Sequence, residues 1–178
     1  YEQEPVSMAS IPGMKDRTIL VSGMSKAFAM TGWRVGYIAC HKDFIEEMVK
    51  IHQYTILCAP IMGQKAAIEA FRNGIKEIDK MRNEYDRRRR YIVKRTEEMG
   101  MDMVTPQGAF YAFPSVKKYG MSSDEFATGL LREKHVAVVP GTAFGDCGEG
   151  FIRCSYATSM PHIIEAFHRI EDYISHLK

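Results

Sequence analysis

The sequence is short of several things, and each shortage narrows what the chain can be. No apolar stretch approaches the ~20 residues that cross a bilayer as a helix. No basic opening leads into an apolar core and a small-residue cleavage site, so no secretory leader is expected. Charge of neither sign dominates: 24 Lys and Arg stand against 22 Asp and Glu, a formal +2 over 178 residues. That balance offers no electrostatic footprint for a polyanion, so neither a nucleic acid nor a membrane is expected as partner. The four cysteines, Cys40, Cys58, Cys147 and Cys154, show no C-x-x-C spacing. Separate reduced thiols and a cytoplasmic protein follow from that. There is no internal repeat, no low-complexity segment and no serine or cysteine nucleophile motif. The opening YEQEPVSMAS carries neither Met nor a helix cap, and the chain is expected to be a piece of a longer protein.

What is present is ordinary for a soluble domain: 46% apolar and 26% charged residues. The twelve methionines are scattered and read as adaptable core filler. Residues 18–22, TILVS, and 34–40, RVGYIAC, read as buried strands. Residues 41–55 read as a helix with Phe44, Met48 and Ile51 on one face. Pro60 interrupts that pattern. A long helical stretch follows from about Met62 to Met99, with a break expected near Gly74 and Met81, Tyr85, Ile92 and Met99 facing a core. Its run DRRRRYIVKR has acidic neighbours Glu84, Asp86, Glu97 and Glu98, and reads as a solvated helix face.

After Gly100 the pattern changes. MDMVTPQGAFYAFPSV reads as two strands around a Pro-Gln-Gly turn. Ser122 with Glu125 predicts a capping box. VAVVPG and GFIRCSYA read as strands, and Ser159 with Pro161 predicts the start of a last helix. On that helix Ile163, Phe167, Ile170 and Ile174 share a face. His162, Glu165, His168 and Glu171 recur at spacing three there, but they drift round the helix and no second cluster joins them, so no metal is expected.

One stretch asks for chemistry. Residues 22–37 read SGMSKAFAMTGWRVGY. Lys26 stands among small residues, and Arg34 follows eight positions later, between two strand-like runs. A lysine amine attacks a carbonyl only when neutral, a state favoured by desolvation and neighbouring positive charge. A guanidinium offers a planar fork of donors to phosphate oxygens, and the hydroxyls of Ser25 and Ser22 can add to it. An amine and an anion cradle together suit a phosphorylated aldehyde.

The segment GMSKAFAMTGWRVG resembles the cofactor-lysine signature of class I and II aminotransferases, at Gly23, Ser25, Lys26, Gly32, Arg34 and Gly36. SKAFAMTGWRVGY is most similar to a subgroup of bacterial and archaeal aspartate and aromatic aminotransferases. TPQGAFYAF, VAVVPGTAFG and GFIRCSYATS extend the resemblance along the chain. It implies pyridoxal 5'-phosphate as cofactor and amino acids with 2-oxo acids as substrates. It also implies Lys26 as the catalytic, Schiff-base lysine, Arg34 and Ser25 at the phosphate, and Arg153 and Phe110 at the substrate. The implied fold is α/β, the C-terminal part of a fold-type I transferase. Residues 1–61 would close the large-domain sheet, 62–99 form a connecting helix, and 100–178 form a small α/β domain. The family's homodimeric state is expected to carry over.

The pattern departs from the family in two places. Gly23 stands where many relatives have a serine that donates to phosphate, and Ser22 is the expected substitute. Nothing between Tyr1 and Thr18 resembles the family's segment with the aspartate that protonates the cofactor ring. A chain without that half is expected to be inactive alone. Two rival readings share the same residues: an aminotransferase-like domain that binds or senses without catalysis, and another fold-type I enzyme such as a β-lyase.

Overall fold

A computed structural model describes residues 1–177. The longer elements, in chain order, are β1 (Leu20–Gly23), α1 (Met24–Ala27), β2 (Gly36–Ala39), α2 (Lys42–Thr55), α3 (Ile61–Asn73) and α4 (Ile75–Glu98). They continue with β3 (Tyr111–Ala112), α5 (Ser123–Lys134), β4 (Val139–Pro140), β5 (Ile152–Ser155) and α6 (Met160–Ser175). The chain divides into two compact units, Gln3–Met81 and Tyr1–Glu2 with Arg82 onward, the boundary falling within α4. Among the described residues no helix is long and apolar enough to cross a membrane.

In the first unit β1 and β2 pair antiparallel, from Leu20 opposite Ala39 to Gly23 opposite Gly36. The two strands form a sheet by themselves, and their apolar side chains stay open: Val21 is 71% exposed and Ile38 44%. The expected α2 face is turned. Ile45, Met48, Val49 and His52 line a groove of about 420 Å3 against Val21, Tyr37 and Ile38, while Phe44 and Ile51 remain exposed. Both sets follow helical spacing, so periodicity alone does not choose between them. The buried core here is small: Met24, Met30 and Ala67, with Phe28, Val35, Ala66 and Ala70 packed against it.

The second unit has the larger core. Ile92 of α4 and Met99 just after it, Phe126 and Leu130 of α5, and Ile163, Phe167 and Ile170 of α6 meet Ala112, Ile152 and Cys154 from the sheet. That sheet runs β3-β5-β4, antiparallel throughout. The capping box forms as expected: Ser122 Oγ accepts from the Glu125 N–H, and the Glu125 carboxylate accepts from the Ser122 N–H. Ser159 stands at the start of α6 with Pro161 in its first turn, but its hydroxyl makes no capping bond.

Two further expectations need correction. The stretch before Pro106 forms no strand; Val104 is 90% exposed, and proline offers no donor for a ladder. The helical stretch from 62 to 99, by contrast, breaks at Gly74 into two helices as expected. The arginine run is not wholly solvated. Arg87 and Arg90 lie outside, paired with Glu84 and Asp86. Arg89 is 2% exposed; it donates to Asp86, to Glu2 and to the Pro106 carbonyl, under the ring of Tyr1. Successive helical residues turn by about 100°, so one of four adjacent arginines has to follow Tyr85 and Ile92 toward the core.

Candidate active site

The Gly23–Gly36 pair ends the β1/β2 ladder, so the connector of residues 24–35 leaves and returns at one end of that sheet. It carries Ser25, Lys26 and Arg34. Its first turn is α1, a single helical turn opened by Gly23 in an extended conformation. Met24 is fully buried and Met30 nearly so, and they pin the two ends of the turn that presents Lys26. The Met30 N–H donates back to the Met24 carbonyl at 3.3 Å, and the Met24 N–H donates to the Val35 carbonyl at 3.1 Å. Lys26 is exposed and Ser25 half-buried on this frame.

Arg34 follows a 3-10 turn, Thr31–Trp33, and has left-handed backbone, φ 52° and ψ 49°. Its Nη1 donates to the Thr31 carbonyl at 2.9 Å, and the side chain is exposed. Helix α3 holds this segment from behind. A Cβ on Gly63 would lie 2.6 Å from Val35 Cγ2 and 3.2 Å from the Trp33 carbonyl oxygen. Only a residue without a side chain lets the helix come so near.

Arg153 and Phe110 belong to the other unit. Along β5 the alternation sends Ile152 and Cys154 into the core and leaves Arg153 half-buried on the opposite face. Burial pushes the Cys154 thiol up to about 12, so that sulfur stays protonated and unreactive. Phe110 is half-buried, its ring 5.5 Å from that of Tyr85 and 4.8 Å from that of Tyr111. Tyr111 lies on the face with Arg153, ring centroid 4.5 Å from the guanidinium carbon. Phe144 comes equally near, at 4.3 Å. Strand alternation could have placed Tyr111; nothing in the local pattern signals Phe144, which arrives on a loop.

The structure thus brings Lys26, Ser25 and Arg34 together on one connector, and links Arg153 to Phe110 through Tyr111. Among the described residues no three His, Cys, Asp or Glu side chains gather as a metal-holding group.

The family model for aminotransferase class I and II matches residues 2–170. The chain is 51% identical over 174 residues to YugH of Bacillus subtilis, covering 98% of this chain and 45% of that protein. To an aspartate aminotransferase of Pyrococcus abyssi it is 48% identical over 174 residues, covering 97% of this chain and 45% of that one. A crystal structure of an aromatic aminotransferase from Pyrococcus horikoshii superposes with a TM-score of 0.93 at 45% identity, covering 98% of this chain and 47% of that one. The chain therefore spans less than half the length of these relatives.

Proposed function

The chain belongs to the class I and II aminotransferase family, and we propose that it carries the cofactor lysine and the substrate arginine of a pyridoxal-phosphate-dependent aminotransferase. The observation that carries this reading is the placement of Lys26, Ser25 and Arg34 on the one connector that the Gly23–Gly36 pair closes. A primary amine, a guanidinium and the hydroxyls of Ser25 and Ser22 form a donor set that fits a phosphorylated aldehyde.

When bound, pyridoxal 5'-phosphate supplies a carbonyl that condenses with amines and a ring that draws off the electrons left at a substrate α-carbon. Lys26 would hold it through Nζ, and Arg34 with Ser25 would hold its phosphate. Lys26 Nζ is also the group that takes and returns the substrate's α proton, as general base and then general acid. Arg153 would grip the substrate α-carboxylate with two parallel N–H donors, which fixes orientation as well as position. Phe110 would give the apolar wall beside it. Relatives named aspartate and aromatic aminotransferases support amino acids of those kinds as donors, with 2-oxo acids as acceptors. In domain terms, residues 1–61 would belong to the cofactor domain, 62–99 to the connecting helices and 100–178 to the small domain. A cytoplasmic homodimer completes the proposal.

Product analysis tests it. The complete product of the gene and the 178-residue chain are each supplied with pyridoxal phosphate, an amino acid and a 2-oxo acid. Equimolar new amino acid and new oxo acid are expected from the complete product. Release of ammonia or carbon dioxide instead would replace aminotransfer by lyase or decarboxylase chemistry. The 178-residue chain is expected to turn over far more slowly, because its β1/β2 sheet stands open at both edges.

A further inference from the structure

Most arginines of the second unit hold a carboxylate: Arg87, Arg88, Arg89, Arg90, Arg95 and Arg169 each make an ion pair. Arg153 differs. Among the described residues it makes no ion pair, and its contacts are with two aromatic rings, Tyr111 at 4.5 Å and Phe144 at 4.3 Å. The arrangement is built into the sheet. Tyr111 pairs with Ser155 across β3/β5, which sets it diagonally beside Arg153 on the same face. Phe144 is held edge-on to Phe113 at 5.9 Å, and Phe113 stacks on Phe151 at 5.7 Å.

The loop bearing Phe144 is tied down as well. The Gly141 N–H donates to the Phe151 carbonyl at 2.8 Å. A Cβ on Gly141 would fall 1.9 Å from the Gly148 carbonyl oxygen, so the two turns close on each other only with glycine there.

We propose that Tyr111 and Phe144 are positioning residues for Arg153, holding its guanidinium by their ring faces so that its N–H donors stay available to a carboxylate. The physical difference between the two kinds of partner is direction. A carboxylate meets a guanidinium in its plane, occupies its donors and neutralises its charge. An aromatic face attracts the cation through the ring quadrupole and uses no donor. A cation held in this way is fixed in place yet still unsatisfied, which suits a residue that must accept and release an anionic group in every cycle. The inference rests on the reading of Arg153 as the carboxylate-binding residue.

The test uses the 178-residue chain and follows the Arg153 Nε–H resonance by NMR while succinate is added as probe. In the wild type the rings should shift this resonance from its free-arginine position, and succinate should move it saturably. Tyr111→Leu and Phe144→Leu should each abolish part of the ring shift and weaken succinate roughly fivefold. Tyr111→Phe, which keeps the ring, should restore both, and a thermal melt of each variant reports whether the fold is kept. An Arg153 resonance unchanged in both leucine variants would overturn the positioning role. A ring-shifted Arg153 that ignores succinate in the wild type would overturn the carboxylate role instead, and with it the purpose assigned to the rings.

Discussion

Arg34 adopts left-handed backbone, and so does Ala29 five residues earlier in the same connector. For a residue with a Cβ that conformation costs roughly 1–2 kcal/mol, and such outliers persist where the surroundings impose them. Here the imposing contacts are the buried side chains of Met24 and Met30 and the backbone hydrogen bonds from Met30 to Met24 and from Met24 to Val35. What the strain obtains is a guanidinium presented beside the lysine turn. If Arg34 holds a phosphate, Arg34→Gln should weaken pyridoxal phosphate about 10-fold or more, the value of a charge-assisted hydrogen bond pair, and leave unphosphorylated pyridoxal unaffected. Equilibrium binding of the two compounds to wild type and variant measures this; equal losses for both would detach Arg34 from the phosphate. The connector that carries Lys26 and Arg34 was legible in the sequence as a turn between two strand-like runs. The rings over Arg153 were not, since Phe144 meets it through tertiary folding alone.

Helix α3 and the β1/β2 connector form the element-level frame of the candidate site, and Gly63 is a point of close approach between them. Gly63→Ala would place a methyl group within 2.6 Å of Val35 Cγ2. It should cost about 1–3 kcal/mol, as overpacking does, and displace the Trp33–Val35 segment that carries Arg34. Chemical denaturation reads the first effect, and a parallel loss of pyridoxal phosphate affinity reads the second; an unchanged denaturation midpoint would show that α3 does not support the connector. Elements were readable to different degrees for physical reasons. The capping box at Ser122 and Glu125 is a local contract between side chain and backbone, so sequence suffices. The α2 face was misjudged because two overlapping sets of residues share helical spacing, and the sheet beneath chooses between them. The missing strand before Pro106 looked like one by composition, but a strand exists only where another pairs with it.

At the scale of the molecule the two units are unequal. The unit of residues from Arg82 onward closes a large core in which α4, α5, α6 and the sheet all take part. The unit of Gln3–Met81 leaves Val21, Ile38, Phe44, Ile51 and Tyr54 exposed around a small core. The chain spans 45% of the length of YugH, one of the relatives it matches. The lysine connector nevertheless has its own anchors within this unit, in Met24, Met30 and Ala67. The most direct test of the central claim is therefore made on the 178-residue chain itself. It is incubated with pyridoxal phosphate, reduced with borohydride, digested, and the modified peptides are mapped by mass spectrometry. The account predicts a single saturable label on Lys26, absent in Lys26→Ala. Labelling spread evenly over the surface lysines, with no preference for Lys26, would contradict it.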